Sequence, residues 1–152
     1  MSMLHSLHGK PSEPYFATRY AVLRQPLGMP LGSERLDDDA EAVHAWVGEH
    51  DSVVAVGRAH IIPEDSDGSG ADHKGPGAAT IPAFGPLATQ TASRPAFQIR
   101  QMGTLPNHQR RGPPAKLLAR LAEVMAEEFC CLTGFLQVCD IHIPFCAHQR
   151  VM

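Results

Sequence analysis

Apolar positions along the chain fall into short blocks with different periods. Leu117, Leu118, Leu121, Val124, Met125 and Phe129 recur at i, i+1, i+4, i+7, i+8 and i+12, the spacing of one helix face. Lys116, Arg120, Glu123 and Glu127 occupy the opposite face, and Pro113 suits a first turn, where no intrahelical donor is lost. A helix is therefore expected from Gly112 onward. Phe97 to Leu105, Ser52 to His60 and Phe135 to Val138 read as strands, the second placed to form a hairpin with the residues before it. Met1 to Pro14 reads as a loose tail and Tyr20 to Arg24 as a short strand stopped by Gln25-Pro26. Leu36 to His50 suits a short helix entered from Asp37, Asp38 or Asp39, because acids stabilise a helix N-terminus. Ile143 to Gln149 suits a terminal helix begun by Pro144. Pro63 to Ala96 holds five Gly and five Pro in 34 residues with little periodicity, the composition of a flexible insert.

A strand, helix and strand over residues 97–138 imply a right-handed crossover and locally parallel strands, hence an α/β layer fold. At 152 residues the chain is expected to be a single domain with the insert at about 63–96. An apolar share of 43% excludes wholesale disorder, and no apolar run reaches the 18 or so residues of a membrane helix. The four cysteines have none of the density of a disulfide scaffold and are expected to be reduced thiols in a cytoplasm.

Charge is more telling by position than in its total of −3, which argues against a general nucleic-acid binder. Residues 1–50 carry seven acids and four bases, whereas residues 73–122 carry no acid and seven bases. A one-sign stretch of that length suggests an anion-binding face. Within it, Gln109-Arg110-Arg111-Gly112 lies between a strand and a helix. Such a junction aims backbone N–H groups and the positive end of the helix dipole at one spot, and phosphates bind there for that reason.

These residues carry a resemblance. Gln98 to Pro106 followed by Gln109 to Leu118 resembles motif A of the GNAT N-acetyltransferases, whose Gln/Arg-x-x-Gly-x-Gly/Ala pattern opens the helix holding acetyl-CoA pyrophosphate. Tyr20 to Pro30 is similar to the first-strand region of small GNAT proteins, Val54 to His60 to the strand before motif A, and Ile143 to His148 to a late helix. The resemblance implies a central mixed sheet flanked by helices, acetyl-CoA as cofactor, and acetyl transfer to a small-molecule or peptide primary amine by direct attack. It implies that Gln109, Arg110, Arg111 and Gly112 cradle the pyrophosphate, with Pro114 and Ala115 in the next positions. Met102, Gly103 and Thr104 would offer strand backbone to the pantetheine arm.

The chain departs from the pattern at three places. Pro113 and Pro114 remove backbone donors where the family uses them, Cys146 stands where a Tyr usually protonates the leaving thiolate, and the chain stops at Met152, where the family supplies two more strands. All three departures favour an alternative, a CoA- or acyl-CoA-binding module without catalysis. The third leaves a sheet edge that a partner subunit would cover, which suggests a homodimer. His60 is the first candidate for general base, ahead of Glu34 and Asp37, because a histidine near its ordinary pKa exchanges protons readily. Arg58, which shares a strand face with His60, and Arg100 are candidates for holding substrate. Cys139, His142, Cys146 and His148 match no paired zinc-knuckle spacing, so no metal is expected.

Overall fold

The computed structural model describes residues 3–49, 51–71, 78, 80–89, 93–140 and 145–150, with the backbone alone at 110–111 and from 137 onward. The described elements are β1 (Met3–His8), α1 (Glu13–Leu23), β2 (Val43–Glu49), β3 (Ser52–Ile62), β4 (Gly70–Ala71), β5 (Thr80–Ile81), α2 (Gly85–Ala88), β6 (Ala96–Thr104), α3 (Pro113–Phe129), β7 (Thr133–Asp140) and β8 (Phe145–Arg150). Six strands form one sheet in the order β1-β2-β3-β6-β7-β8. All neighbours are antiparallel except β6 and β7, which are parallel on either side of α3. The fold is a mixed sheet with α1 on one face and α3 on the other.

The alternation of β2 makes both layers. Val43, Ala45 and Val47 join Leu117, Leu121 and Met125 under α3. His44 and Trp46, between them, turn to Tyr15 of α1. Because both faces of β2 are buried, its apolar residues run almost without a break, and this hid the strand period. The helix expected over Leu36 to His50 is therefore corrected to a short 3-10 turn at Asp39–Glu41 followed by a strand.

Three other expectations are overturned. Residues 3–8 of the expected tail pair along β2 as an edge strand. Tyr20 to Arg24 belongs to α1 and the residue that caps it, and that helix buries Thr18 and Arg19 beside Tyr15 and Phe16. A buried arginine breaks the apolar pattern, so the helical period was invisible. Residues 145–150 form a strand that supplies β7 with an antiparallel neighbour, not a helix; residues 143–144 lie outside the described residues. The β2–β3 hairpin, the parallel pair and α3 are as expected.

The insert is packed in part. Phe84 and Leu87 enter a cluster with Ile62, Ala96 and Phe135, the two phenylalanine rings stacked at 4.9 Å. Arg94 ties the segment down, donating to the carbonyls of Ile62, Pro63 and Ser66 at 3.3, 2.8 and 2.7 Å. Residues 72–77, 79 and 90–92 of the insert lie outside the described residues.

At the start of β7, a Cβ on Gly134 would lie 2.1 Å from Cζ of the buried Phe97 ring. Gly134→Ala is expected to destabilise the fold by about 1–3 kcal/mol, the usual cost of overpacking. Urea denaturation reads this directly, and adding Phe97→Leu should recover part of the loss.

Candidate functional site

The parallel ladder between β6 and β7 runs from Ala96 opposite Thr133 to Ile99 opposite Leu136 and stops there. β6 continues to Thr104 and β7 to Asp140, so the two strands separate beyond that point. A bulge marks the place. Arg58 faces Arg100 and Val56 faces Gly103, so three steps of β6 oppose two of β3. Gln101 lies within it at φ +56°, uncommon for a residue with a side chain. Arg24, only 4% exposed, donates to Gln101 Oε1 at 2.7 Å and to the Ser33 carbonyl at 3.0 Å. The bulge is thus tied from the α1 layer.

Met102 and Gly103 follow the bulge on opposite faces. A Cβ on Gly57 would meet Met102 Cγ at 3.1 Å beside Leu121 of α3. A Cβ on Gly103 would meet Val22 Cγ2 of α1 at 2.4 Å. Gly103 therefore lets α1 lie against β6. Thr104, at the strand's end, is buried.

Beyond β6, residues 106–111 curl into a 3-10 helix. In that geometry each N–H turns back on the carbonyl three residues before it, so Gln109, Arg110 and Arg111 are not an open row of amides. The Gln109 side chain donates back to the Thr104 carbonyl at 3.4 Å. Gly112 then takes φ +80° and turns the chain into α3. Among the described residues, no heavy atom beyond its chain neighbours lies within 4 Å of where its Cβ would stand, which leaves space in front of the turn. Pro113 and Pro114 have no N–H, and Ala115 is the first residue of α3 with one to give.

An ionic network, buried except at Asp38, lies on the α1 face of the sheet beside the bulge. Arg19, fully buried, donates to both oxygens of Asp39 at 2.9 and 3.1 Å and to the Glu34 carbonyl at 2.9 Å. Arg58, 1% exposed, donates to both oxygens of Asp38 at 2.8 Å and to Asp39 at 3.0 Å. Two guanidinium groups and two carboxylates balance. Hydrogen bonds from Arg58 bring the Asp38 pKa down to about 2. Asp39 is also lowered, because Arg19 and Arg58 outweigh burial, which alone would raise it.

His44 and His60 flank this network, each held neutral with a pKa of about 4. Burial is the main cause for both; Arg19 adds for His44, and Arg58 and Arg100 add for His60. The His44 Nε2–H donates to the Asp39 carbonyl at 2.8 Å, which leaves Nδ1 as the acceptor facing Tyr15 Oη at 3.0 Å. Tyr15 Oη itself reaches the Gly57 carbonyl at 3.0 Å. Burial pushes the Tyr15 hydroxyl up to about 12. At His60, Nδ1 accepts from Arg58 at 3.4 Å, so the neutral ring carries its proton on Nε2.

The structure brings Arg58, His60 and Arg100 together on one face, next to the bulge, with Gln98 opposite His60 across the ladder. Arg58 is committed to Asp38 and Asp39, and Arg100 donates to the Ala71 carbonyl at 2.7 Å. Donors are in excess there: Arg58 Nε and Gln98 Nε2 are buried with no acceptor among the described residues. The side chains of Arg110, Arg111 and Cys146 lie outside the described ones. The Glu34 carboxylate accepts from the Gly32 amide and Arg35. Sequence reasoning missed Tyr15, Arg19, Asp39 and His44. The Asp37-Asp38-Asp39 run looked like a solvated helix start, and nothing in the sequence ties it to Arg19. Among the described residues no His, Cys, Asp and Glu group could hold a metal, and no helix is long and apolar enough to cross a membrane.

No family model and no curated protein matches the sequence. Solved structures do match the fold. A Lactobacillus plantarum protein assigned as an N-acetyltransferase superposes with a TM-score of 0.57 at 12% identity, over 99% of each chain. Eis1 from Mycobacterium abscessus gives 0.52 at 15% identity, over 94% of this chain and 30% of its own. Glucosamine-6-phosphate N-acetyltransferase from Arabidopsis thaliana gives 0.50 at 11%, over 93% and 84%. The fold is GNAT-like. The chain spans less than a third of Eis1 but the full length of the Lactobacillus protein. The bulge on the β3 side of β6, the opening on its β7 side and the Gly112 turn follow one another along that strand.

The neutral histidines make stability pH-dependent. Their folded pKa values of about 4 lie below the ordinary 6.5, so the unfolded chain binds more protons between those limits. Stability is expected to be full above pH 6.5 and to fall as pH drops to about 4, with a slope approaching about 1.4 kcal/mol per pH unit for each histidine. Urea titrations across this range test it. Replacing both His44 and His60 with Gln should flatten the slope.

Proposed function

We propose that the protein is a cytoplasmic N-acyltransferase that moves an acetyl group from acetyl-CoA to a primary amine by direct attack. One observation carries this reading: the parallel ladder opens at the Gln101 bulge, directly before a turn with open space in front of Gly112. The GNAT-like fold supports it, since two of the solved structures similar to it are named as N-acetyltransferases, one of them by assignment.

The residues present fit a CoA thioester. Backbone of Met102, Gly103 and Thr104 would lie along the pantetheine arm. Gly112, Ala115, Gln109 and the cationic Arg110 and Arg111 would hold the diphosphate. When bound, the thioester supplies the acyl group. Cys146 would return a proton to the departing thiolate, its ordinary pKa near 8.5 being suited to that exchange.

His60 serves deprotonation indirectly. Taking a proton from an ammonium group of pKa near 10 onto an imidazole of about 4 is uphill by roughly 8 kcal/mol. Arg100 adds positive charge beside a network whose own charges balance, and a neighbouring cation lowers the pKa of an entering amine. The amine then docks neutral, and the neutral His60 adds no charge of its own. A second reading, a CoA-binding module without turnover, is favoured by Pro113-Pro114, which remove two amides from the helix start.

Coenzyme A at a hundredfold excess over its Kd should raise Tm by roughly 5–10 °C. Acetyl-CoA with a panel of amines should release free thiol. Protection without thiol release would select the binding module, and the absence of both effects would overturn the proposal. Gly112→Asp should abolish the protection, because its carboxylate fills and repels the cradle. Pro114→Gly should tighten CoA binding by up to about tenfold, as one restored bond to a charged group contributes about 1.5 kcal/mol; calorimetry measures both.

A further inference from the structure

Among the described residues β1 is an edge strand without protection of its own, although Arg120 of α3 reaches Ser6 Oγ at 3.0 Å. Natural edges are blunted by charge, proline or a bulge. Met3–His8 carries neither an ionised side chain at neutral pH of the Lys, Arg, Asp or Glu type nor a proline, and it pairs with β2 without a break in register. Met3, Leu4 and Leu7 are 58%, 40% and 41% exposed.

The direction of its free backbone groups follows from one bond. The Gly9 amide donates to the Ala42 carbonyl at 3.1 Å, one step past the His8–Val43 pair. Hydrogen-bonded pairs alternate along an antiparallel ladder, so the odd residues bond to β2. Leu4, Ser6 and His8 therefore present their N–H and C=O groups outward.

We propose that β1 pairs with β1 of a second copy of this chain, antiparallel about a two-fold axis through His5, joining two sheets into one. In this register Leu4 faces Ser6 of the copy, and each such pair exchanges two backbone hydrogen bonds. Met3 faces Leu7 and Leu7 faces Met3, at the non-hydrogen-bonded positions where side chains approach closest. Leu4 meets its counterpart diagonally across the axis. All three exposed apolar side chains find apolar neighbours at once, and the same five residues, Met3 to Leu7, supply both halves; this self-complementarity is what selects a second copy over a foreign strand.

The interface lies at the opposite edge from the C-terminal one where the sequence leads one to expect a partner. It is three strands from β6, about 14 Å at the usual spacing, so it leaves the β6–β7 opening free and does not depend on the catalytic reading.

Sedimentation equilibrium of the full chain should give twice the chain mass. Leu7→Lys should give one chain mass with an unchanged circular dichroism spectrum. His5→Cys should form a disulfide-linked dimer on mild oxidation, because residue 5 faces itself at a Cα separation near 4.5 Å, within disulfide reach. Wild type oxidised in parallel and Ser6→Cys should stay unlinked. A monomeric wild type, an open series of larger species, or a dimer that survives Leu7→Lys while His5→Cys stays unlinked overturns the proposal.

Discussion

Two parallel strands that stop pairing part-way along their length no longer satisfy each other's backbone groups, and a structure must answer for what lies between them. Here the separation begins where Ile99 meets Leu136, and its position is set by the adjoining ladder. One extra residue in β6 against β3 forces a bulge, Gln101 takes a left-handed conformation, and Arg24 fixes that side chain from the layer above. A residue held in that region costs on the order of 1–3 kcal/mol and persists only where its surroundings impose it. The bulge, the opening and the Gly112 turn form one continuous feature along β6. The candidate site depends on that continuity more than on any single side chain.

The second constraint is electrostatic. Burying Arg19 and Arg58 is tolerable because Asp38 and Asp39 lie against them with short, multiple hydrogen bonds. Removing one member of such a group leaves an uncompensated buried charge, whereas the intact group holds adjacent elements in register. In this chain it ties α1, the 38–39 turn, β2 and β3 together. Burial, reinforced by the neighbouring guanidinium groups, keeps His44 and His60 neutral, so neither histidine beside the bulge is a strong base. That chemistry suits a neutral amine nucleophile better than proton abstraction by a side chain.

Much of the fold's centre was legible in the sequence because its periods are clean. α3 carries one apolar stripe, and β3, β6 and β7 are bounded by clear turn residues. The motif-like run from Gln98 to Leu118 pointed to the same region that the structure opens. Elements at the margins were misread for identifiable reasons. α1 buries Thr18 and Arg19, β2 is buried on both faces, and β1 is a short edge whose pairing depends on residues forty positions away. The ionic network could not be read at all, since its members span residues 15 to 60 and meet only after folding. The bulge was likewise silent, because no residue type announces a one-residue mismatch between strands.

A crystal of the protein soaked with coenzyme A tests the central claim most directly. The account predicts density for the diphosphate against the Gly112 turn and the first N–H of α3, with the pantetheine arm running between β6 and β7. Ligand bound elsewhere with that gap empty, or strands β6 and β7 zipped together past Ile99, would contradict it.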